Sequence, residues 1–551
     1  MPIINKPIVT HTELHSKNNQ PYLSKKRDAS INLNGQIRDK NGEIIQCRHI
    51  SSYWSDLFYN NLGQVNYETL SSPRLLSEAI NIIKEDTGTN NINGEIYFVE
   101  NELWGSVIYD IFLQMEKKHE THRSLDIHSS GHQMALGIKI KKNQTNKFVI
   151  NFYDPNKTAT HKRVFFDTEN ITDARALTAY DFLSETCLRC YGLKEENLSL
   201  FVDRNKSTEN DYVSIKKLPG NPLQGVVINF AMSAGLREVI KNICDDTRLV
   251  GLTRPQVEAL CEAKNVNGVP GLLLALQNGN QDAVEEYGRL IEKVSIRKEQ
   301  LIPILSARTS DGTIPGLFQA LQNNHAQTVR SYGKLLLNTI DNTRDLEYLL
   351  SAVKYEPHDI NKYFPGLFMA FQRGNADAIQ AYCDVLGTSC LTRSEIIRML
   401  EAKSSDGVPG LLHAYKNGDI NTIRTFFYSL ISLNIPQDVI EELLTARYND
   451  FTGLSLAISH GHAQVVQLCG ELLKKLDTSP YKMSFFLASA INCDLDTLNP
   501  IIGSERKLNK AVKEYVGIIK KLGIIPEMVT EHLSELRARQ FLDIYRYYNN
   551  L

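Results

Sequence analysis

The chain has no run of about 18 apolar residues, the length a helix needs to cross a bilayer, so no membrane span is expected. It has no excess of either charge: 61 Lys and Arg stand against 63 Asp and Glu, a formal net charge of -2. That balance gives no electrostatic reason to expect nucleic acid or an anionic membrane as a partner. A secretory signal is missing as well, because residues 11 to 31 read HTELHSKNNQPYLSKKRDASI, without a charged-then-apolar pattern. Residues 1–30 are instead expected to form a polar, disordered leader. The nine cysteines are odd in number and widely spaced, which argues against a disulfide framework. They read as reduced thiols in a cytosol-like environment, many of them small buried hydrophobes. There is no GxxxxGKS or GxGxxG for nucleotides, no GxSxG elbow for a serine hydrolase and no HExxH for zinc.

What is present divides into two grammars. At 551 residues, with 42% hydrophobic and 23% charged, the chain can bury a sizeable core and exceeds one ordinary domain. From residue 31 to about 215, helix-like and strand-like stretches mix. ISSYWSDLFYNNL (50–62) has helix length, and EIYFVE (95–100) reads as a strand. HQMALGIKIKK (132–142) and KFVINFYD (147–154) read as the two strands of a hairpin. Alternation puts Ala135 and Gly137 on one face and Leu136, Ile138 and Ile140 on the other.

From 216 to 551 the chain repeats itself. PGLLLALQNGN, PGLFQALQNNH, PGLFMAFQRGN and PGLLHAYKNGD begin at Pro270, Pro315, Pro365 and Pro409, intervals of 45, 50 and 44 residues. A weaker copy begins at Thr452 and a first one at Asn221. Proline has φ preset for a first helical turn, and Asn-Gly suits a left-handed helix end. The copy TGLSLAISHGHAQVVQLCGELL (452–473) resembles the ankyrin repeat, but the period is longer than about 33 residues. The excess, such as RKEQLIPILSAR, implies about three helices per repeat. Stacked repeats of that kind are expected to offer an extended surface for a substrate or partner.

Chemistry is expected in the first half. Cys47 stands where a polar loop meets an amphipathic helix, a position that lowers a thiol's pKa. Trp54, two turns along, has the spacing to bury beneath it. SSGHQMALGIKI sets His132 at the start of one strand, and NFYDPN sets Asp154 at the end of the next, beside a turn. A thiol, an imidazole and an orienting carboxylate are the parts of a nucleophilic triad. His119, His122, His128 and His132 lie close in sequence, but KKHETHRSLDIHSSGH reads as a solvated loop holding one functional histidine rather than a zinc site. The lone CLRC pair, Cys187 and Cys190, reads as structural, with a redox role the alternative. His49 is expected at the surface, since a helix turns it away from Cys47. No cofactor and no metal are expected.

The phrases CRHISSYW, SGHQMALGI and FYDPN resemble the Cys, His and Asp boxes of the YopT-type papain-like effector proteases. With the repeat array, the whole chain resembles the EspL-like effectors of the Shigella enterotoxin 2 family. That resemblance implies an α+β papain-like cysteine protease domain (31–215) followed by an α-helical ankyrin-like repeat solenoid (216–551), with Cys47, His132 and Asp154 catalytic. It implies type III secretion into the host cytoplasm, with the leader as a secretion and chaperone-binding segment. The implied substrates are host signalling proteins carrying RIP homotypic interaction motifs, whose cleavage blocks necroptosis and inflammatory signalling. An oxyanion donor beyond the Cys47 N–H is implied too, with Gln46, Gln36 and Asn34 as candidates. Two rival readings stand beside this one: a non-catalytic ankyrin scaffold or toxin that sequesters host proteins, and a papain-like deamidase or transferase.

Overall fold

The computed structural model describes residues 20–23, 30–42, 44–81, 95–129, 131–141, 147–203, 214–217, 223–265, 267–449, 451–491 and 506–549. Nearly all of the expected leader and the linker of the 132–154 hairpin lie outside them. The chain divides into two units, Met1–Gly251 with Ala263–Asn267, and Leu252–Glu262 with Gly268–Leu551. The described part of the stretch that begins at Asn221, including a helix at Gly225–Ala234, lies in the first unit.

The first unit is mixed α+β. Its strands are β1 (Tyr22–Leu23), β2 (Glu95–Glu100), β3 (His122–His128), β4 (Gln133–Lys141), β5 (Lys147–Tyr153), β6 (Lys162–Asp167), β7 (Leu198–Asp203) and β8 (Ser214–Lys217). They form one sheet in the order β1-β6-β5-β4-β3-β7-β2-β8, antiparallel except for β2 beside β8. Its helices include α1 (Cys47–Asn60), α2 (Pro73–Ala79), α3 (Trp104–Lys117), α4 (Ala179–Phe182) and α5 (Glu185–Cys190). The three strands expected from the sequence are β2, β4 and β5, and the last two pair from Ala135 opposite Tyr153 to Lys141 opposite Lys147.

The alternation along β4 explains how the sheet is covered. Leu136, Ile138 and Ile140 pack with Trp104, Ile108 and Phe112 of α3 on one face. Ala135 packs with Trp54 and Phe58 of α1 on the other. Small residues are needed on the α1 side because the helix comes close. A Cβ at Gly137 would sit 2.5 Å from the Phe58 ring. Gly137→Ala is therefore expected to overpack this layer and cost about 1–3 kcal/mol. The chain's two tryptophans, Trp54 and Trp104, both lie in the first unit, so a urea titration followed by their fluorescence isolates that unit. An unchanged midpoint would mean that α1 moves aside without cost.

One expectation fails here. HRSLDIH is not a solvated loop but β3, a buried strand between β4 and β7. Its two buried charged side chains are inside because each has a partner. Arg123, 1% exposed, donates to Asp203 Oδ2 at 3.0 Å and to Glu120. Asp126 accepts from Ser55 Oγ of α1 at 2.7 Å. Partnered polar groups can alternate along a buried strand, and that pattern is what made the segment read as exposed.

The second unit is helical. The first repeat holds Gly271–Asn278, Gln281–Lys293 and Lys298–Ser306, and triplets recur from Gly316, Gly366, Leu411 and Gly453. The prolines sit one residue earlier than expected: Pro270, Pro315 and Pro365 are extended caps, and glycine opens the first turn. The reason is packing between repeats, since a Cβ at Gly316 would lie 2.5 Å from Leu276 and one at Gly366 2.7 Å from Leu321. Tyrosines join successive repeats: Tyr332 donates to the Leu305 carbonyl at 2.6 Å and Tyr382 to that of Leu350 at 2.9 Å. Each satisfies a carbonyl at a helix end that would otherwise be orphaned.

Candidate active site

Cys47 is the first residue of α1, and its thiol is half-buried. The free N–H groups and dipole of a helix start favour a thiolate there. The helix is clamped to the sheet behind it. Ser51 Oγ donates to the Gln133 carbonyl at 2.8 Å, and Trp54 is fully buried against Tyr153, ring centroids 5.0 Å apart.

His132 precedes β4 in a tight turn, where Ser129 N–H donates to its carbonyl at 2.9 Å and Ser129 Oγ accepts from its N–H at 3.2 Å. Asp154 follows β5 directly, and the pairing of Ala135 with Tyr153 sets both residues at the same end of the hairpin. Their side chains meet with His132 Nε2 3.0 Å from Asp154 Oδ1, at 6% and 7% exposure. The Asn156 N–H donates to the same oxygen at 3.0 Å, the Asx turn that the DPN phrase favours.

The structure brings the Cys47 thiol into electrostatic contact with the His132 ring, each stabilising the charged form of the other. With Nε2 given to Asp154, Nδ1 is the ring nitrogen left for the sulfur. Burial opposes the charge on all three groups, and their mutual contacts outweigh it. The Cys47 thiol is held below its ordinary pKa by His132 and by the Gln133 and Arg48 main chain. His132 is pushed up to about 9 by Asp154 and Cys47, against burial. Asp154 is held below the usual carboxylate range by His132, the Asn156 N–H and Tyr191. The arrangement therefore favours the thiolate–imidazolium form of the pair over the neutral thiol and imidazole.

Sequence reasoning missed Tyr191. Its ring stacks on His132 at a centroid distance of 4.1 Å, and its hydroxyl donates to Asp154 Oδ2 at 2.9 Å. Adjacency to the CLRC pair drew attention to the cysteines and away from it. Cys187 and Cys190 themselves are free thiols on α5, the first partly buried against the core and the second exposed. Of the candidate oxyanion donors, Asn34 gives its amide N–H to Asn156 Oδ1 at 2.8 Å, Gln46 is the N-cap of α1, and Gln36 is exposed. His49 is not at the surface as expected. It is partly buried because its Nδ1 folds back to accept the Gln46 N–H at 3.0 Å, and burial with the Arg48 charge lowers its pKa to about 4. His122 and His128 lie at opposite ends of β3, and no metal-holding group of His, Cys, Asp or Glu exists among the described residues.

Fold and site together define an α+β domain with a helix-start thiol beside a hydrogen-bonded imidazole–carboxylate pair, followed in the chain by a helical region. Residues 5–265 match the family described as ShET2 enterotoxin, N-terminal region. The chain is also 42% identical over 280 residues to the effector protease OspD3 of Shigella flexneri, a stretch covering 51% of this chain and 49% of that protein. These likenesses bear out the resemblance to the ShET2-like secreted effector proteases. The match spans about half the length of the curated relative. Among the described residues, no helix is long and apolar enough to cross a membrane.

Proposed function

We propose that the chain is a cysteine endopeptidase in which a papain-like domain (31–215) bears the triad Cys47, His132 and Asp154. The observation that carries this reading is a half-buried thiol at a helix start, its charge coupled to an imidazole whose Nε2 is held by a buried carboxylate at 3.0 Å. The Cys47 thiolate attacks the scissile carbonyl carbon, and the His132 Nδ1–H protonates the departing amine, leaving an acyl-enzyme. Water, deprotonated by the same nitrogen, then releases the acid and restores the thiol. Asp154 keeps the ring in the orientation both steps need. The Cys47 N–H, free at the helix start, is one oxyanion donor. Activity should span the pH range from the depressed Cys47 pKa to about 9, where His132 loses its proton.

The helical repeats, ankyrin-like in phrase and in their Asn-Gly helix ends, serve in this reading as the platform that selects the substrate. The likeness to a Shigella effector protease supports a virulence effector acting on host proteins. The EspL-like resemblance narrows those to signalling proteins with RIP homotypic interaction motifs, cleaved in the host cytoplasm to block necroptosis. It also assigns the leader (1–30) to type III secretion and a chaperone. Incubating the full chain with a RIP-motif protein and reading intact mass tests the reaction class. Two fragments whose masses sum to the substrate plus water are expected. A gain of about one dalton would instead indicate deamidation, and an unchanged, co-purifying substrate would indicate a scaffold.

A further inference from the structure

We propose that Tyr191 is a positioning residue of this site, its ring fixing the plane of the His132 imidazole and its hydroxyl fixing the Asp154 carboxylate. The proposal rests on the thiol-protease reading above. Tyr191 caps the end of α5, its N–H donating to the Cys187 carbonyl at 2.9 Å. Its own carbonyl accepts from the Gly131 N–H at 3.3 Å, which ties it to the turn that carries His132. The approach is close: a Cβ at residue 131 would lie 3.3 Å from the Cys190 carbonyl oxygen and 3.4 Å from that of Tyr191.

Two consequences follow from the side chain. The rings of Tyr191 and His132 stack at an interplanar angle of 28°. A ring so covered is held in one plane, a flip exchanging Nδ1 for Nε2 would break the bond to Asp154, and the phenol face favours the protonated imidazole that a thiolate needs. The hydroxyl acts on the other partner. Asp154 Oδ1 is taken by His132 Nε2 and the Asn156 N–H, and Oδ2 by the Tyr191 hydroxyl at 2.9 Å. Both oxygens being engaged, the carboxylate cannot rotate without breaking a buried hydrogen bond. The hydroxyl is itself set by Asn156 Nδ2 at 2.9 Å, and Asn156 by the Asn34 amide at 2.8 Å. A chain of donors thus runs from the loop before α1 to the Asp154 carboxylate, which accepts from Tyr191 on one oxygen and from the imidazole on the other.

The test needs no substrate. Full-length protein is treated with iodoacetamide between pH 4 and 10, and alkylation of Cys47 is followed by the mass of its peptide, since Cys190 and Cys390 are also exposed. Wild type should react well below the ordinary thiol range. Tyr191→Phe keeps the stack and loses the hydroxyl, and Tyr191→Leu loses both. The acid limb of the profile should move up by about half a unit in the first and about one unit, tenfold in thiolate at low pH, in the second. A purely structural tyrosine would lower the thermal midpoint and leave that limb in place. Superimposable limbs in folded wild type and Tyr191→Phe would overturn the proposal, and the near-isosteric phenylalanine decides alone if the leucine variant does not fold. A wild-type profile rising only near pH 8.5 would overturn the thiol–imidazole pair and this proposal together.

Discussion

On the cysteine-protease proposal, Cys47→Ser should reduce cleavage of a RIP-motif substrate by about 10⁴-fold or more, the loss typical of removing one member of a catalytic unit. The substitution exchanges one atom on a half-buried side chain, so the fold should survive it. What disappears is the charge separation. A serine hydroxyl does not ionise near neutrality, so the imidazolium loses its anionic partner. The Cys47 contacts that help push His132 up to about 9 are then gone, and the ring should titrate lower, still held by Asp154. The sign runs against activity at every pH: below the new His132 pKa the base is protonated with no thiolate beside it, and above it the hydroxyl remains a poor nucleophile. Initial rates of fragment formation, paired with the thermal midpoint, measure this. Cleavage within tenfold of wild type by a folded Cys47→Ser protein would remove Cys47 from the chemistry. If binding of the target persists and its consequences in the host cell persist too, the scaffold reading takes over.

Much of the site could be read from the chain because its parts lie at element boundaries, and boundaries carry local signals. Cys47 opens an amphipathic helix, and DPN ends a strand with an Asx turn. His132 follows Ser-Ser-Gly, the small residues of a tight turn. The β4–β5 hairpin was visible in its alternation, and even the small face of β4 was readable, since Gly137 and Ala135 leave room that only a close helix explains. Tyr191 had no such signal. It reaches Asp154 from 37 residues away through tertiary packing, and nothing in CLRCYG states what its hydroxyl touches. The burial of β3 was hidden for the same reason. Arg123 finds Asp203 eighty residues later, and a pairing at that distance leaves no local period. In the repeats, the excess length of the period foretold about three helices per unit, but the phrase's proline stands one position outside the helix it was expected to open. Close contact with the neighbouring repeat, not the intrinsic preference of proline, decides which residue opens the turn.

Trp54→Ala should cost the first unit about 3–5 kcal/mol, the usual range for emptying a buried tryptophan site. The side chain is wholly enclosed. It lies parallel to Tyr153, at an interplanar angle of 6°, and stacks on Phe58 at 5.3 Å, so its removal forfeits two aromatic contacts as well as the buried area. It also strands a polar chain. Trp54 Nε1 donates to the Tyr67 hydroxyl at 2.8 Å, and that oxygen lies 2.7 Å from His161 Nδ1. Trp54→Phe keeps most of the volume and loses the N–H, so a smaller loss of about 1–2 kcal/mol is expected from the bond alone. The effect should also reach the site, because Tyr153 is the residue before Asp154 and the cavity would open under the strand end that presents the carboxylate. Trp104 then remains as the fluorescent reporter of the same unit, and urea midpoints for the two variants can be compared directly. A midpoint for Trp54→Ala equal to that of wild type would show that Ser51 and Ser55, through their bonds to Gln133 and Asp126, hold α1 on the sheet without this stack. A fall in midpoint with an unchanged alkylation profile at Cys47 would separate the two roles, leaving the tryptophan as support for the helix and the geometry of Cys47, His132 and Asp154 to Tyr191 and the turn at Ser129.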